Sequence, residues 1–323
     1  MKKISLIALA TIGIAFFALS LGAVQVGDIW GSIFAFDFTS TAVDDQIIWQ
    51  IRAPRILGAL IIGAALGIAG TLAQGSTNNP LADPAFLGTT AGASLGVIVG
   101  VLTGVVDVAS VGAIVCAAIG AMAATALTFS LARSAFQLII IGIALSATLS
   151  AVAGIAISVA ERPEIRSITF WSLGSLSLLT WSEIIPLAVI ALGGLLAAIR
   201  ISAYVDLLSL GDASVRHIGR NPQRIRLAAF MILSILVAVS VSTVGTISFL
   251  ALAAPHIARI LVGPRHRILV AASAVIGASI LLIADTAART VAPPQDLPIG
   301  LLIALIAAPV LIVVLKRGQL QWG

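Results

Sequence analysis

The chain has 323 residues, a mean hydropathy of +1.16, 60% hydrophobic residues and 10% charged ones. That is more apolar surface than a soluble core buries, and its long uncharged runs read as membrane spans, so the class is an all-α polytopic membrane protein; the ~10-residue alternating segments of a transmembrane barrel are absent. The net charge of +5 and sequence pI near 10.3 do not point to nucleic acid, because the lysines stand only at the ends (Lys2, Lys3, Lys316) and the fifteen arginines lie mostly between apolar runs, the positive-inside distribution of a membrane protein.

Ten crossings are predicted in chain order, at about 4–24, 56–73, 87–105, 109–131, 138–159, 184–200, 227–250, 251–262, 268–290 and 297–315. The first, with Lys2 and Lys3 before it, also fits a signal peptide whose cleavage would leave nine crossings. It is long for such a segment, however, and no clear A-x-A site follows it. The eighth is too short to cross about 30 Å alone and must be shielded by protein or belong to a broken helix. With the N-terminus in the cytoplasm, ten crossings put 13 of the 18 basic residues inside, among them Arg133, Arg216, Arg226, Arg265, Lys316 and Arg317. Arg52, Arg55, Arg162, Arg166 and Arg289 fall outside; of 13 acidic residues only Asp83, Asp206 and Asp212 fall inside. Nine crossings would send Lys316 and Arg317 outside, so ten with both termini cytoplasmic is the better fit. Gly70, Thr71, Pro80 and Gly88 recur 175 residues later as Gly245, Thr246, Pro255 and Gly263. With opposite crossing directions, this echo suggests an inverted-topology repeat within one permease domain, 1–323, with halves at about 52–160 and 227–317.

Most chemical motifs are missing. No G-x-x-x-x-G-K-[ST] exists, since no lysine lies between Lys3 and Lys316, and there is no H-E-x-x-H. His217, His256 and His266 stand apart and read as structural or loop histidines, and the lone Cys116 as a small buried residue that cannot form a disulfide within the chain. An ion-coupled carrier would place charge in mid-span, and the spans here are nearly free of it. Asp285 and Arg289 are four apart on one helix face and suited to a local pair. An intramembrane enzyme would need a nucleophile and a base facing each other, and His256, beside a proline in the short crossing, is the only base in place.

Two polar stretches interrupt the apolar pattern at the cytoplasmic side. In QGSTNNPLADPAFLG (74–88), Asn78, Asn79 and Pro80 stop one helix, and Asp83–Pro84 suit the start of another, with Asp as N-cap and Pro at the first helical position. The stretch is either a tight loop in water or irregular backbone lining a cavity. In DLLSLGDASVRHIGRNPQRIR (206–226), Asp212 opens a short helix through Arg216 and His217, and Gly219 with Asn221–Pro222 ends it. It is either an ordinary basic loop or a docking helix for a soluble partner.

The motifs R-A-P-R (52–55), G-A-A-L-G-I-A-G (63–70), Q-x4-N-P-L-A-D-P-x3-G (74–88), L-G-D-A (210–213), G-T-I-S-F (245–249), P-H-I-A-R (255–259), G-x-x-H-R (263–267), A-D-x-x-A-R (284–289) and L-P-I-G (297–300) together resemble the permease subunits of type II ABC importers for ferric siderophores, haem or cobalamin. The resemblance runs from about residue 50 to 317. It implies ten spans per subunit in a bacterial plasma membrane and a second permease subunit, identical or paralogous. It also implies two separate ATPase subunits that hold ATP and magnesium, and an extracytoplasmic substrate-binding protein; the chain itself is expected to hold no cofactor or metal and to catalyse nothing.

Ferric siderophore is the favoured cargo as the family's commonest one. By the same resemblance Arg52, Arg55 and Arg289 match arginines that dock acidic residues of the binding protein; interfacial anchoring is the plainer role for them. Asn79 and Leu81 match residues of a cytoplasmic gate and Ser134 part of a second gate, although Ala135 and Phe136 follow it here. Leu210, Gly211, Asp212, Ala213, Arg216, His217 and Gly219 match the loop that sits in a cleft of the ATPase. Asp296 stands where the family usually has Glu. Phe249-Leu250-Ala251-Leu252 carries Ala for a usual Gly, and Ala307-Ala308-Pro309 likewise, which implies slightly altered close packing.

Overall fold

A computed structural model of the chain describes residues 2–22, 24, 26–35, 40, 42–132, 134–160, 162–293, 295–307 and 309. Arg133, Ala308, Lys316, Arg317 and the end of the tenth expected crossing lie outside the described residues, as do the side chains of Lys2 and Arg162. The elements are α1 (Lys2–Ser20), α2 (Ile29–Ala35), α3 (Val43–Gln46), a π-helical turn (Ile47–Arg52), α4 (Ala53–Thr77), a 3₁₀ turn (Pro84–Leu87), α5 (Thr89–Leu102) and α6 (Val111–Leu131). There follow α7 (Ala135–Ser158), α8 (Arg162–Ser172), α9 (Trp181–Leu208), α10 (Asp212–His217), α11 (Pro222–Val244), α12 (Leu250–Val262) and α13 (His266–Ala288). A last helix, α14, covers 299–307. No strand occurs among the described residues.

Among the described residues a helix falls within each expected crossing, and seven helical spans are long and apolar enough to cross a membrane by themselves, so the expected count of ten is not reached by length and composition alone. The shorter ones, α5 and α12, are apolar too. The ends differ from expectation for physical reasons. α9 has 28 residues, about 42 Å at 1.5 Å per residue. It therefore outruns the bilayer core, carries the exposed Arg200 on its flank and hands the chain directly to the 206–226 loop. Entry to α4 is a continuous helical run from Val43 through the π turn. Helix α8, which hydropathy does not mark, lies where Ile168 and Trp171 are buried.

α4 and α11 form the centre of the bundle, being mostly buried where a third or less of α6, α7 and α9 is buried. α4 approaches α13 without side chains between them: a Cβ on Gly63 would collide with the Gly277 carbonyl, and one on Gly277 with that of Gly63. Gly92 of α5 and Gly120 of α6 make the same reciprocal contact. Without a hydrophobic drive between helices in lipid, such small-residue seams let dispersion and backbone contacts hold the bundle.

α12 shows how the short crossing is accommodated. Its 13 residues span only about 20 Å. It starts beside the middle of α4, where a Cβ on Gly70 would strike the Ala251 carbonyl. In the irregular link 245–249, Gly245 N donates to Val241 O at 2.8 Å and Phe249 O accepts from Ala253 N at 2.9 Å, and further hydrogen bonds tie the segments beside it together, as backbone within a bundle requires. Ser175 N donates to Val244 O at 2.9 Å, Ile299 N to Gly174 O at 2.9 Å, Thr246 Oγ1 to Ser172 O at 2.8 Å and Trp171 Nε1 to Ser242 O at 3.2 Å. The eighth crossing is thus a shielded half-helix.

The four-position echo does not map element onto element. Gly70 and Thr71 lie inside α4, whereas Gly245 and Thr246 follow the end of α11; Pro80 lies in a break and Pro255 inside α12. Glycines recur so often in this chain that their spacing alone misassigns the register.

Candidate functional site

At one end of the bundle the chain gathers the expected gate and docking loop. α4 ends because Asn78 turns left-handed (φ 51°), a conformation Asn tolerates better than most residues, and because Pro80 has no amide to continue the ladder. Asn79 Oδ1 accepts from Leu81 N at 2.9 Å, and Asn79 N donates to Gln74 O at 3.1 Å. The Asn79 side chain therefore shapes the turn, while Leu81 projects with 42% of its surface exposed. Asp83 caps the 3₁₀ turn, accepting from Ala85 N at 2.8 Å. Burial pushes its carboxyl up to about 6, against the opposing pull of that hydrogen bond. The helix expected from Asp83–Pro84 is only this single turn; α5 begins beyond Gly88, whose φ of 84° makes the corner.

Ser134 caps α7, accepting from Gln137 N at 3.2 Å. It shares a cavity of about 20 Å³ with Phe129, Gln223 and Arg226. Phe136, next to the cap, is exposed.

The 206–226 loop folds as the sequence implied. Gly211 (φ 85°) turns the chain into α10, and Gly219 (φ 74°) turns it out. Val215 anchors α10 in the core, leaving Leu210, Ala213, Arg216, His217 and Ile218 exposed on its outer side. Asp212 faces inward instead. Its carboxylate takes a bidentate bridge from Arg226, Oδ1–Nη2 at 2.6 Å and Oδ2–Nη1 at 2.9 Å, and that guanidinium holds it below the usual carboxylate range. Just before the loop, Asp206 Oδ1 meets His266 Nδ1 at 2.6 Å and accepts from His266 N at 3.1 Å, tying α9 to α13. His266 packs against Gly75 so closely that a Cβ there would strike its ring.

The other end of the bundle brings together Arg52, Arg55 and Arg289, separated by up to 237 residues in sequence. All three are buried, yet they line a cleft of about 170 Å³ together with Asp296. Arg55 donates from Nε to Asp285 Oδ1 at 2.6 Å and from both Nη atoms to Asp296 at 2.8 Å. Arg289 donates to Leu21 O (2.9 Å) and Ala18 O (2.8 Å), and Arg52 to Leu19 O (2.7 Å) and Val24 O (2.6 Å). The two arginines thus satisfy carbonyls at and beyond the C-terminus of α1, which otherwise lack donors. The three arginines therefore do not stand as free cations on an otherwise acidic face. Two of the acidic residues on that side, Asp285 and Asp296, belong to their network. The pair expected within α13 is the weaker contact, Arg289 Nε lying 3.6 Å from Asp285 Oδ2.

Sequence reasoning missed Arg226 and His266 as site residues. It also missed Gln74, whose Oε1 accepts from Arg259 Nη2 at 2.9 Å and whose amide donates to Leu252 O at 3.3 Å. Polar side chains in an otherwise apolar central helix were the available signal for Gln74. Among the described residues no group of His, Cys, Asp and Glu is arranged to hold a metal ion.

The family model described as the FecCD transport family matches residues 7–317. The chain is 32% identical over 311 residues to the hemin transport system permease protein HmuU of Yersinia pestis, covering 94% of this chain and 93% of that protein. It is 33% identical over 312 residues to the iron(3+)-hydroxamate import system permease protein FhuB of Bacillus subtilis, covering 94% and 80%. It is 32% identical over 324 residues to the molybdate import system permease protein MolB of Haemophilus influenzae, covering 98% and 95%. A solved inward-facing structure of an ABC transporter assigned to the metal-chelate type matches with a TM-score of 0.87 at 28% identity, covering 98% of this chain and 99% of that one.

Proposed function

The chain belongs to the FecCD transport family, and on that premise we propose that it is the multi-pass permease subunit of an ATP-driven importer of iron chelates in a bacterial plasma membrane. The observation that carries the reading is α10. It is a short, internally braced helix at one end of the bundle, offering an outer side of exposed apolar and basic residues to a separate ATPase subunit. ATP and magnesium belong to that subunit, and this chain holds no cofactor. Leu210, Gly211, Asp212, Ala213, Arg216, His217 and Gly219 form the coupling element. Asn79 and Leu81, with Ser134 on the neighbouring loop, form the cytoplasmic gate. Arg52, Arg55 and Arg289 receive acidic residues of an extracytoplasmic binding protein at the opposite end. A second permease subunit covers exposed apolar surface such as that of α7.

Transport is then alternating access: docking at α10 biases the segment 78–88 between two packings. An inverted repeat of the halves 52–160 and 227–317 is supported by swapped partners. α4 packs on α13 as α11 packs on α6, and α5 packs on α6 as α12 packs on α13.

Ferric siderophore is the proposed cargo, and haem or cobalamin the alternative; relatives named for hemin, vitamin B12 and molybdate show that membership alone leaves the cargo open. An ion-driven carrier is disfavoured. Among the described residues the buried charged side chains Arg52, Arg55, Asp285 and Arg289 cluster at one end of the bundle, with Glu183 in the first turn of α9, and Asp83 and Arg226 lie at the other, with no relay between. The test is purification with associated subunits, reconstitution in liposomes, and binding assays on the soluble subunit with iron chelates, haem and cobalamin. ATP-driven accumulation of a ferric siderophore is the expected result. Uphill accumulation by the chain alone, driven by a proton or sodium gradient, would overturn the proposal.

A further inference from the structure

We propose that Arg226 is the positioning residue through which α10 moves the gate. The inference rests on the proposed role of α10 as the ATPase docking element. Arg226 lies in the first turns of α11 and is buried. All three of its guanidinium nitrogens are engaged. Nη1 and Nη2 grip Asp212, the first residue of α10, and Nε donates to Ser76 O at 3.0 Å.

Ser76 is in the last turn of α4, two residues before the left-handed Asn78. Its carbonyl would normally receive the amide four residues on. That residue is Pro80, which has no amide to give. The proline that breaks the helix therefore creates an orphan acceptor, and Arg226 supplies the donor. One planar group joins the docking helix to the carbonyl at the break, and its far side borders the cavity that Ser134 also lines. The Asp206–His266 pair fixes the other limb of the loop to α13, whose His266 is seated on Gly75, one residue from Ser76.

This geometry makes Arg226 a switch. A guanidinium fork is rigid, so displacing α10 must rotate it, and rotation cannot keep the Asp212 bridge and the Ser76 bond together. Loss of the Nε donor leaves the Ser76 carbonyl unsatisfied and loosens the 76–83 turn, freeing Leu81 to swing. A lysine has one ammonium and cannot hold both partners.

The test uses the assembled transporter, permease with its ATPase subunits, reconstituted in nanodiscs. In a Cys116→Ala background, Leu81→Cys is labelled with an impermeant maleimide, nucleotide-free and in the ATP- and vanadate-trapped state. The labelling rate should differ about tenfold or more between states, the ordinary size of an allosteric coupling. With Arg226→Gln or Arg226→Lys added, the ATPase should still co-purify, while the labelling difference falls below about twofold. Asp212→Asn, a change at a partly exposed side chain, should give an intermediate response if the Arg226 variants do not fold.

A parental labelling difference in these variants would overturn the inference. So would loss of the ATPase from the Arg226 complexes, because the residue would then merely hold the docking helix. A parent that binds no ATPase, or does not respond to nucleotide, would instead overturn the proposed function on which it rests.

Discussion

Arg55→Gln isolates the buried charge network at the end of the bundle that holds Arg52, Arg55 and Arg289. The Asp285 side chain is fully buried, and without Arg55 its nearest cation is Arg289 Nε at 3.6 Å. Removing one partner of a buried pair costs about 3–5 kcal/mol, because the remaining charge is left uncompensated. The Asp296 side of the bridge is weaker. That side chain is 23% exposed, and solvent screening leaves a charged hydrogen bond there contributing about 1 kcal/mol. Arg55→Gln should therefore lower unfolding free energy by about 3–5 kcal/mol and Asp296→Asn by about 1 kcal/mol. The double variant Arg55→Gln/Asp285→Asn, which removes the orphan charge as well, should recover at least about 2 kcal/mol of the single loss. Denaturant unfolding of the detergent-solubilised chain, followed by tryptophan fluorescence, measures this. Trp49 and Trp181 sit near this end, joined by a Trp181 Nε1 to Trp49 O bond of 2.8 Å. An Arg55→Gln protein within about 1 kcal/mol of the parent, or a double variant no better than the single, would refute the reasoning.

Asp296→Asn releases two Arg55 donors, so binding-protein docking measured at low salt should tighten about threefold, with the gain vanishing near 1 M salt. Gly70→Ala drives a Cβ into the Ala251 carbonyl and should cost at least about 3 kcal/mol or abolish folded yield. Gly193→Ala, with open space around it, should be neutral or stabilise by up to about 1 kcal/mol, both read from thermal midpoints. Arg216→Glu, at an exposed position of α10, should abolish substrate-stimulated ATP hydrolysis in liposomes with no change in unfolding. Asp83 is pushed up from 3.8 to about 6, so the folded chain holds a proton that the unfolded chain gives up between those values. Its contribution is present below about pH 4 and lost by about 3 kcal/mol as pH rises past 6. Asp83→Asn should abolish that difference between midpoints at pH 4 and pH 7.

The crossings were legible because lipid demands long apolar helices, and because their ends carry local punctuation. Asn78–Asn79–Pro80 stopped α4, and Gly211 with Gly219 bracketed α10, by backbone rules that act over four or five residues. What the sequence hid depends on residues far apart. Arg55 meets Asp285 across 230 positions and Arg226 meets Ser76 across 150, and no periodicity encodes either. Charge counting put Arg52, Arg55 and Arg289 on one side of the membrane, and the structure gathers them at one end of the bundle, but counting could not reveal that two of them satisfy carbonyls of α1. Nor could it show that the third lies between two carboxylates. The glycine echo failed for the opposite reason. Gly63, Gly70, Gly92, Gly120 and Gly277 are there to let backbones touch, so they mark seams and not repeat register.

These observations bear on why buried charge, among the described residues, is confined to the two ends. A bundle joined through glycine seams moves by sliding backbone past backbone, and such sliding is cheapest where no buried charged contact must be unmade. At one end Arg55 joins α4 to Asp285 of α13 and to Asp296 beyond it. At the other end Arg226 joins α11, α10 and α4. Both clamps grip α4, one near each terminus, with a nearly uncharged helix between. Rearranging one clamp alone would tilt α4 against its seam with α13, so motion at either end carries a cost that the other end registers. A helix clamped in this way suits a path that must not be open at both ends, and it requires only that each clamp have two arrangements.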